Sequence, residues 1–163
     1  MKAAVLKDDK KMVFEEVPMP EPGPGQVLIR VSWASVCGTD LHIFMGEFKN
    51  RVAYPRILGH EFSGVIETVG QGVKHLQAGD RVTADPIVWC NECPACLNGQ
   101  NNVCRNLKLL GIEFDGGFAQ FTVAGYALAQ FAFAYSLIAQ VGVFVDKGYG
   151  QVVWKLSELM GSF

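Results

Sequence analysis

Four cysteines, Cys90, Cys93, Cys96 and Cys104, lie within fifteen residues and constrain this chain more than any other feature of it. Their C-x2-C-x2-C-x7-C spacing is what a tetrahedral zinc requires: four thiolate sulfurs at short intervals, filling every coordination position. A site closed in this way holds structure and offers nothing to a substrate. Spacing alone leaves two alternatives, a pair of disulfides or unliganded buried thiols, but two successive C-x-x-C steps are rare in either. Between the ligands, Leu97-Asn98-Gly99-Gln100-Asn101-Asn102 is polar and turn-rich, as a loop wrapped around a metal should be. The reading is a zinc lobe over about residues 88–106.

A pinned loop needs a body to sit on. With 163 residues, half of them apolar, the chain has room for one domain with its own core, and 18 Gly with 7 Pro suit a loop-rich β fold. A net charge of −2 gives no reason to expect nucleic acid or an acidic membrane surface as partner. Residues 1–11 contain no uninterrupted apolar run of h-region length, so they do not read as a signal peptide. Metal-spaced cysteines without an export signal point to a reducing, cytoplasmic home.

Short strands follow one another along the chain. Lys2–Leu6 and Met12–Val17 flank a charged turn, and Pro18–Gly25 is an extended connector because prolines alternate through it. Gln26–Ala34 alternates Val27, Ile29, Val31 and Trp33 against Leu28, Arg30 and Ser32, the pattern of a half-buried strand. Cys37-Gly38-Thr39-Asp40 then turns, with Thr39 or Asp40 able to cap a short helix. Phe62–Val69, Arg81–Ala84 and Phe118–Val123 are further strands, the last preceded by a hairpin signal, Asp115-Gly116-Gly117. The whole predicts a mainly β, partly open barrel with short helices and a structural zinc lobe.

Outside the lobe, Cys37 is followed by Thr39 and His42, and later by Gly59-His60-Glu61. Cys, His and Glu offer three ligands and leave a tetrahedral ion one open position, which a catalytic zinc needs. Taken singly, each has a plainer reading: a lone Cys is usually a small buried hydrophobe and a lone His a satisfied polar residue.

Cys37-Gly38-Thr39-Asp40, Gly59-His60-Glu61, Gly79-Asp80-Arg81-Val82, the four-cysteine lobe and Gly116-Gly117-Phe118-Ala119 stand in the order found in zinc-dependent medium-chain alcohol and polyol dehydrogenases. Over residues 1–123 the chain resembles the GroES-like catalytic domain of that family, near its sorbitol and threonine dehydrogenase branches. The resemblance implies two zinc ions per chain. Cys37, His60 and Glu61 (direct or intermittent) would hold the catalytic one, with Asp40 beside it. Cys90, Cys93, Cys96 and Cys104 would hold the structural one. Thr39 would accept the proton of a small alcohol or polyol and His42 would pass it towards solvent, while NAD(P) takes the hydride.

The nicotinamide needs a G-x-G-x-x-G unit between a strand and a helix. Gly70-x-Gly72 and Gly148-x-Gly150 each lack the third glycine, so turnover by this chain alone is not expected. Residues 116–145 carry no charge at all, against 26 of the 30 charged residues in 1–115. Regular Gln and Thr interruptions argue against a membrane span there. The expectation is an apolar bridge over 124–147 and a closing strand with a tail over 148–163, where the nucleotide domain of the family has been lost. An apolar surface so vacated would favour self-association. The rival reading is a non-enzymatic, zinc-stabilised barrel used for self-assembly or partner binding.

Overall fold

The computed structural model describes residues 1–125 in full, together with the backbone of 129–131 and 152–155. Strands β1 (Lys2–Asp8) and β2 (Lys11–Glu16) pair antiparallel, closed by a turn in which Lys10 takes φ 58°. The turn is tighter than the charged run suggested, because both strands extend into it. A two-residue strand, β4 (Arg56–Ile57), adds to the other edge of β1.

The longest strand, β3 (Gln26–Val36), organises a second sheet. On one side it pairs β5 (Glu61–Val69), which pairs β6 (Arg81–Ala84). β9 (Phe121–Gly125) takes Gln26–Arg30, and β11 (Val152–Lys155) takes Trp33–Val36, one after the other along β3. β10 (Ala129–Phe131) pairs β6. A ribbon of β7 (Ile87–Val88) and β8 (Lys108–Leu109) brackets the cysteine lobe. Among the described residues the three sheets do not close into a full barrel, in keeping with the partly open, mainly β expectation. Of the apolar segment 124–147 and the tail 148–163, the remainder lies outside the described residues. Among those described, no helix is long and apolar enough to cross a membrane.

Val27, Ile29, Val31, Phe62, Ile66 and Val82 form one buried cluster between the strands, and Leu6, Ile43, Val52, Leu58 and Ile112 a second under the helix that follows β3. Phe118 packs against both, and against a third around Ala3 and Val5. Each such Val, Leu or Ile withdrawn from water contributes about 1.5–3 kcal/mol. The alternation read in β3 holds only in part: Leu28 is buried as well. Register shifts at Leu28/Ile29 and Val31/Trp33 interrupt the two-residue period, and an extra residue in a ladder re-aims the side chains that follow.

Asp115-Gly116-Gly117 forms no hairpin. It runs alongside 57–59, with the amides of Gly116, Gly117 and Phe118 donating to the carbonyls of Ile57, Gly59 and Leu58. A Cβ at Gly116 would lie 2.1 Å from the Gly59 carbonyl oxygen, and one at Gly117 2.5 Å from the Phe62 ring. These glycines serve close backbone approach, which carries the same sequence signature as a turn. Asp115 adds an ion pair to Arg56 and accepts from the Ile57 amide, so the strand leading to His60 and Glu61 is tied on both sides.

Candidate metal centres

The lobe brings all four expected sulfurs together. Cys90 and Cys93 precede a short helix, α2 (Pro94–Leu97), which begins with Pro after Cys93 because proline gives up no hydrogen bond in a first turn. The turn carries Cys96 back towards Cys93, and a 3-10 turn at Asn101–Val103 returns Cys104. Asn91 (φ 61°) and Gly99 (φ 74°) supply the left-handed residues such a small loop needs. The Sγ atoms of Cys93 and Cys96 are 3.5 Å apart, as are those of Cys90 and Cys104, and Cys90 to Cys96 is 4.0 Å. Ligand sulfurs at ~2.3 Å from one tetrahedral zinc are separated by about 3.8 Å, whereas a disulfide is ~2.05 Å long. All five cysteines are free thiols, and the lobe fits zinc.

The electrostatics agree. Backbone amides of Arg105 and Cys96 lower the Cys93 thiol to about 6, and those of Glu92 and Cys93 lower Cys90. Burial and the adjacent Cys93 and Cys104 thiols push Cys96 up to about 12. Four sulfurs at this spacing cannot all ionise unless a cation joins them, and the amides are already aimed at the charge that would result.

The second group forms where β3 ends. Helix α1 (Gly38–Phe44) is capped by Cys37, and not by Thr39 or Asp40 as the sequence suggested. Cys37 Sγ accepts from the Thr39 amide at 3.2 Å, while the Asp40 carboxylate accepts from the Cys37 amide at 2.9 Å, a reciprocal capping box. Sulfur can accept where a capping oxygen usually does, so cysteine serves here and is aimed at the same time.

His60 and Glu61 arrive on the start of β5 after Gly59, whose φ of 90° turns the chain at the point where Phe118 leaves no room for a Cβ. Cys37 Sγ lies 3.2 Å from His60 Nε2, and the donor atoms of Cys37, His60 and Glu61 all lie within 4.8 Å of one another. A sulfur and a nitrogen on one tetrahedral zinc are separated by about 3.5 Å. Residues 23 positions apart in the chain thus present a soft, a borderline and a hard donor to one point, a set suited to zinc.

Asp40 is 3% exposed and knits this centre together. Besides the Cys37 amide it accepts from the Gly59 amide at 3.3 Å, and its Oδ1 lies 3.5 Å from His60 Nδ1, a charge contact and not a hydrogen bond. The carboxylate lies on the Nδ1 side of the ring while Nε2 faces the cysteine. It also raises His60 to about 9, against the opposing effect of burial.

That shift makes a prediction. In chelator-treated protein the His60 contribution to stability is fully present below about pH 6.5, the imidazole's unperturbed pKa, and is lost as pH rises through about 9. Thermal unfolding of the metal-free chain should fall across that window, and Asp40→Asn should flatten the fall. Metal taken up through His60 Nε2 must displace that proton, so affinity at this centre should rise over the same range.

Thr39 and His42 stand three residues apart on α1. Thr39 sits at the centre through its amide. His42 does not join Cys37, His60 and Glu61: it is 59% exposed, with Nδ1 2.7 Å from Glu47 Oε2. Sequence reading missed Ser35, whose hydroxyl donates to Glu61 Oε2, and Glu47. Only the three-residue step from Cys37 to Asp40 carried a local signal of what Asp40 does.

Residues 23–130 match the model of the alcohol dehydrogenase GroES-like domain. The chain is 42% identical over 124 residues to the starvation-sensing protein RspB of Escherichia coli K12, covering 76% of this chain and 36% of that protein. It is 46% identical over 110 residues to the L-threonine 3-dehydrogenase of Pyrococcus abyssi, covering 66% and 32%. Among solved structures, an alcohol dehydrogenase (rspB) of Escherichia coli CFT073 complexed with NADH superposes with a TM-score of 0.74 at 39% identity, over 80% of this chain and 38% of that one. A cobalt- and zinc-bound thermostable alcohol dehydrogenase of Pyrobaculum aerophilum gives 0.75 at 33%, over 82% and 41%. The chain thus spans about a third of the length of the curated relatives it matches.

Proposed function

The chain belongs to the alcohol dehydrogenase GroES-like domain family, and from that premise we propose that it is the zinc-binding catalytic portion of an alcohol or polyol dehydrogenase. The observation that carries this reading is the convergence of Cys37, His60 and Glu61 within 4.8 Å, backed by Asp40, in addition to the closed cysteine lobe. A domain stabilised by metal alone has no use for a second group of three donors.

Cys37, His60 and Glu61 would hold the catalytic ion, and Cys90, Cys93, Cys96 and Cys104 the structural one. When bound, zinc supplies a Lewis acid that lowers the pKa of an alcohol hydroxyl, and a nicotinamide supplies the hydride acceptor. The Thr39 hydroxyl takes the substrate proton, since it can accept one hydrogen bond while donating another. His42, a turn further along α1, passes that proton to water. Its exposure supports a place at the solvent end of the path, and Glu47 against Nδ1 favours Nε2 as the accepting nitrogen. The substrate is a small alcohol or polyol.

None of the 163 residues forms a G-x-G-x-x-G unit, so the residues that hold the nicotinamide are to be sought outside them. β11 against β3 is read as the strand closing the catalytic domain. The purified chain should bind two zinc ions, Cys37→Ala one, and neither should produce NADH continuously from NAD and an alcohol panel. One ion in the parent protein leaves only the zinc-stabilised barrel. Sustained NADH production would overturn the inactive-alone reading.

A further inference from the structure

Ser35 and Glu61 are register partners across β3 and β5. Residues directly opposite in an antiparallel pair carry Cβ atoms about 4.5–5.5 Å apart on one face, so the ladder itself delivers the Ser35 hydroxyl to the Glu61 carboxylate. The hydroxyl donates to Oε2, and Ser35 is only 9% exposed. Cys37 lies two residues further on, still extended at φ −102°, ψ 168°. A step of two along extended chain returns to the same face. One face of the β3–β5 pair therefore presents Ser35, Cys37 and Glu61 together, with His60 Nε2 turned towards Cys37.

A glutamate is a loose ligand: its terminal torsion is broad and three rotatable bonds let the carboxylate swing away. A buried hydroxyl on one oxygen removes much of that freedom without adding charge to the donor set. We propose that Ser35 is a positioning residue that holds Glu61 as the third donor beside Cys37 and His60, so that an ion there is gripped by three protein atoms instead of two. This rests on the reading of the Cys37 group as a metal centre.

The test is cobalt and zinc binding to the whole chain in competition with a chromophoric chelator, comparing the parent protein with Ser35→Ala, Ser35→Thr, Glu61→Ala and Ser35→Ala/Glu61→Ala. Ser35→Ala should weaken the second ion by about 10–100-fold, leave the lobe ion unchanged as an internal check of folding, and alter the visible absorption of cobalt at the Cys37 centre. Ser35→Thr, which keeps the hydroxyl on a strand-compatible side chain, should restore both. In the Glu61→Ala background, removing Ser35 should cost nothing more. A parent protein that takes up one ion would refute the metal centre itself. Two ions with unchanged affinity and spectrum in Ser35→Ala, or independent losses in the double variant, would overturn the role of Ser35 alone.

Discussion

Cys93→Ser should release one zinc per chain and open the lobe between Cys90 and Cys104 to proteolysis. Cys93 is buried, precedes the first residue of α2 and faces Cys96 at 3.5 Å. Little else in the lobe competes with the metal: Leu97 and Val103 are exposed, and none of the three apolar clusters includes a lobe cysteine. Zinc binding in small sulfur sites is worth about 10–16 kcal/mol, more than a loop of this size can recover from its own hydrogen bonds at ~1 kcal/mol each. Limited proteolysis of the variant should cut within 91–103 at least a hundred times faster than in the parent protein, while the β signature of circular dichroism persists. A lobe that stayed resistant after losing its ion would show that chain packing, and not metal, holds it.

Asp40→Ala should cost about 3–5 kcal/mol, the usual penalty for removing one partner from a buried charged group, and lower the unfolding temperature by roughly 6–20 °C. The substitution orphans the Cys37 and Gly59 amides and strips His60 of the carboxylate that holds its proton. The helix cap and the ligand set fail together because one side chain serves both. Asp40→Asn, which keeps an acceptor oxygen, should lie between. Denaturant unfolding of the metal-free chain measures the structural share, and uptake of the second ion measures the rest. If Asp40→Ala lowered neither, the centre would be held by its strands alone.

The lobe was legible because its candidate ligands are close in sequence: Cys90, Cys93, Cys96 and Cys104 come together with little help from the rest of the chain. The strands were legible for a similar reason, since alternation and turn residues are local. Glycines misled where they served two purposes, as at Gly116 and Gly117, which bring the chain against 57–59 instead of turning it. The cap of α1 misled because cysteine is not the residue propensity would choose for that position.

By itself, then, the order of residues determined which side chains could bind metal and which stretches extend, because valence, chirality and short loops act over a few residues. The meeting of Cys37 with His60 and Glu61 was decided by the pairing of β3 with β5, in which a register displaced by one residue would turn Glu61 to the opposite face. That same pairing set Ser35 against the carboxylate and Asp40 on the Nδ1 side of the imidazole, relations that come into existence only when distant backbone segments lie side by side.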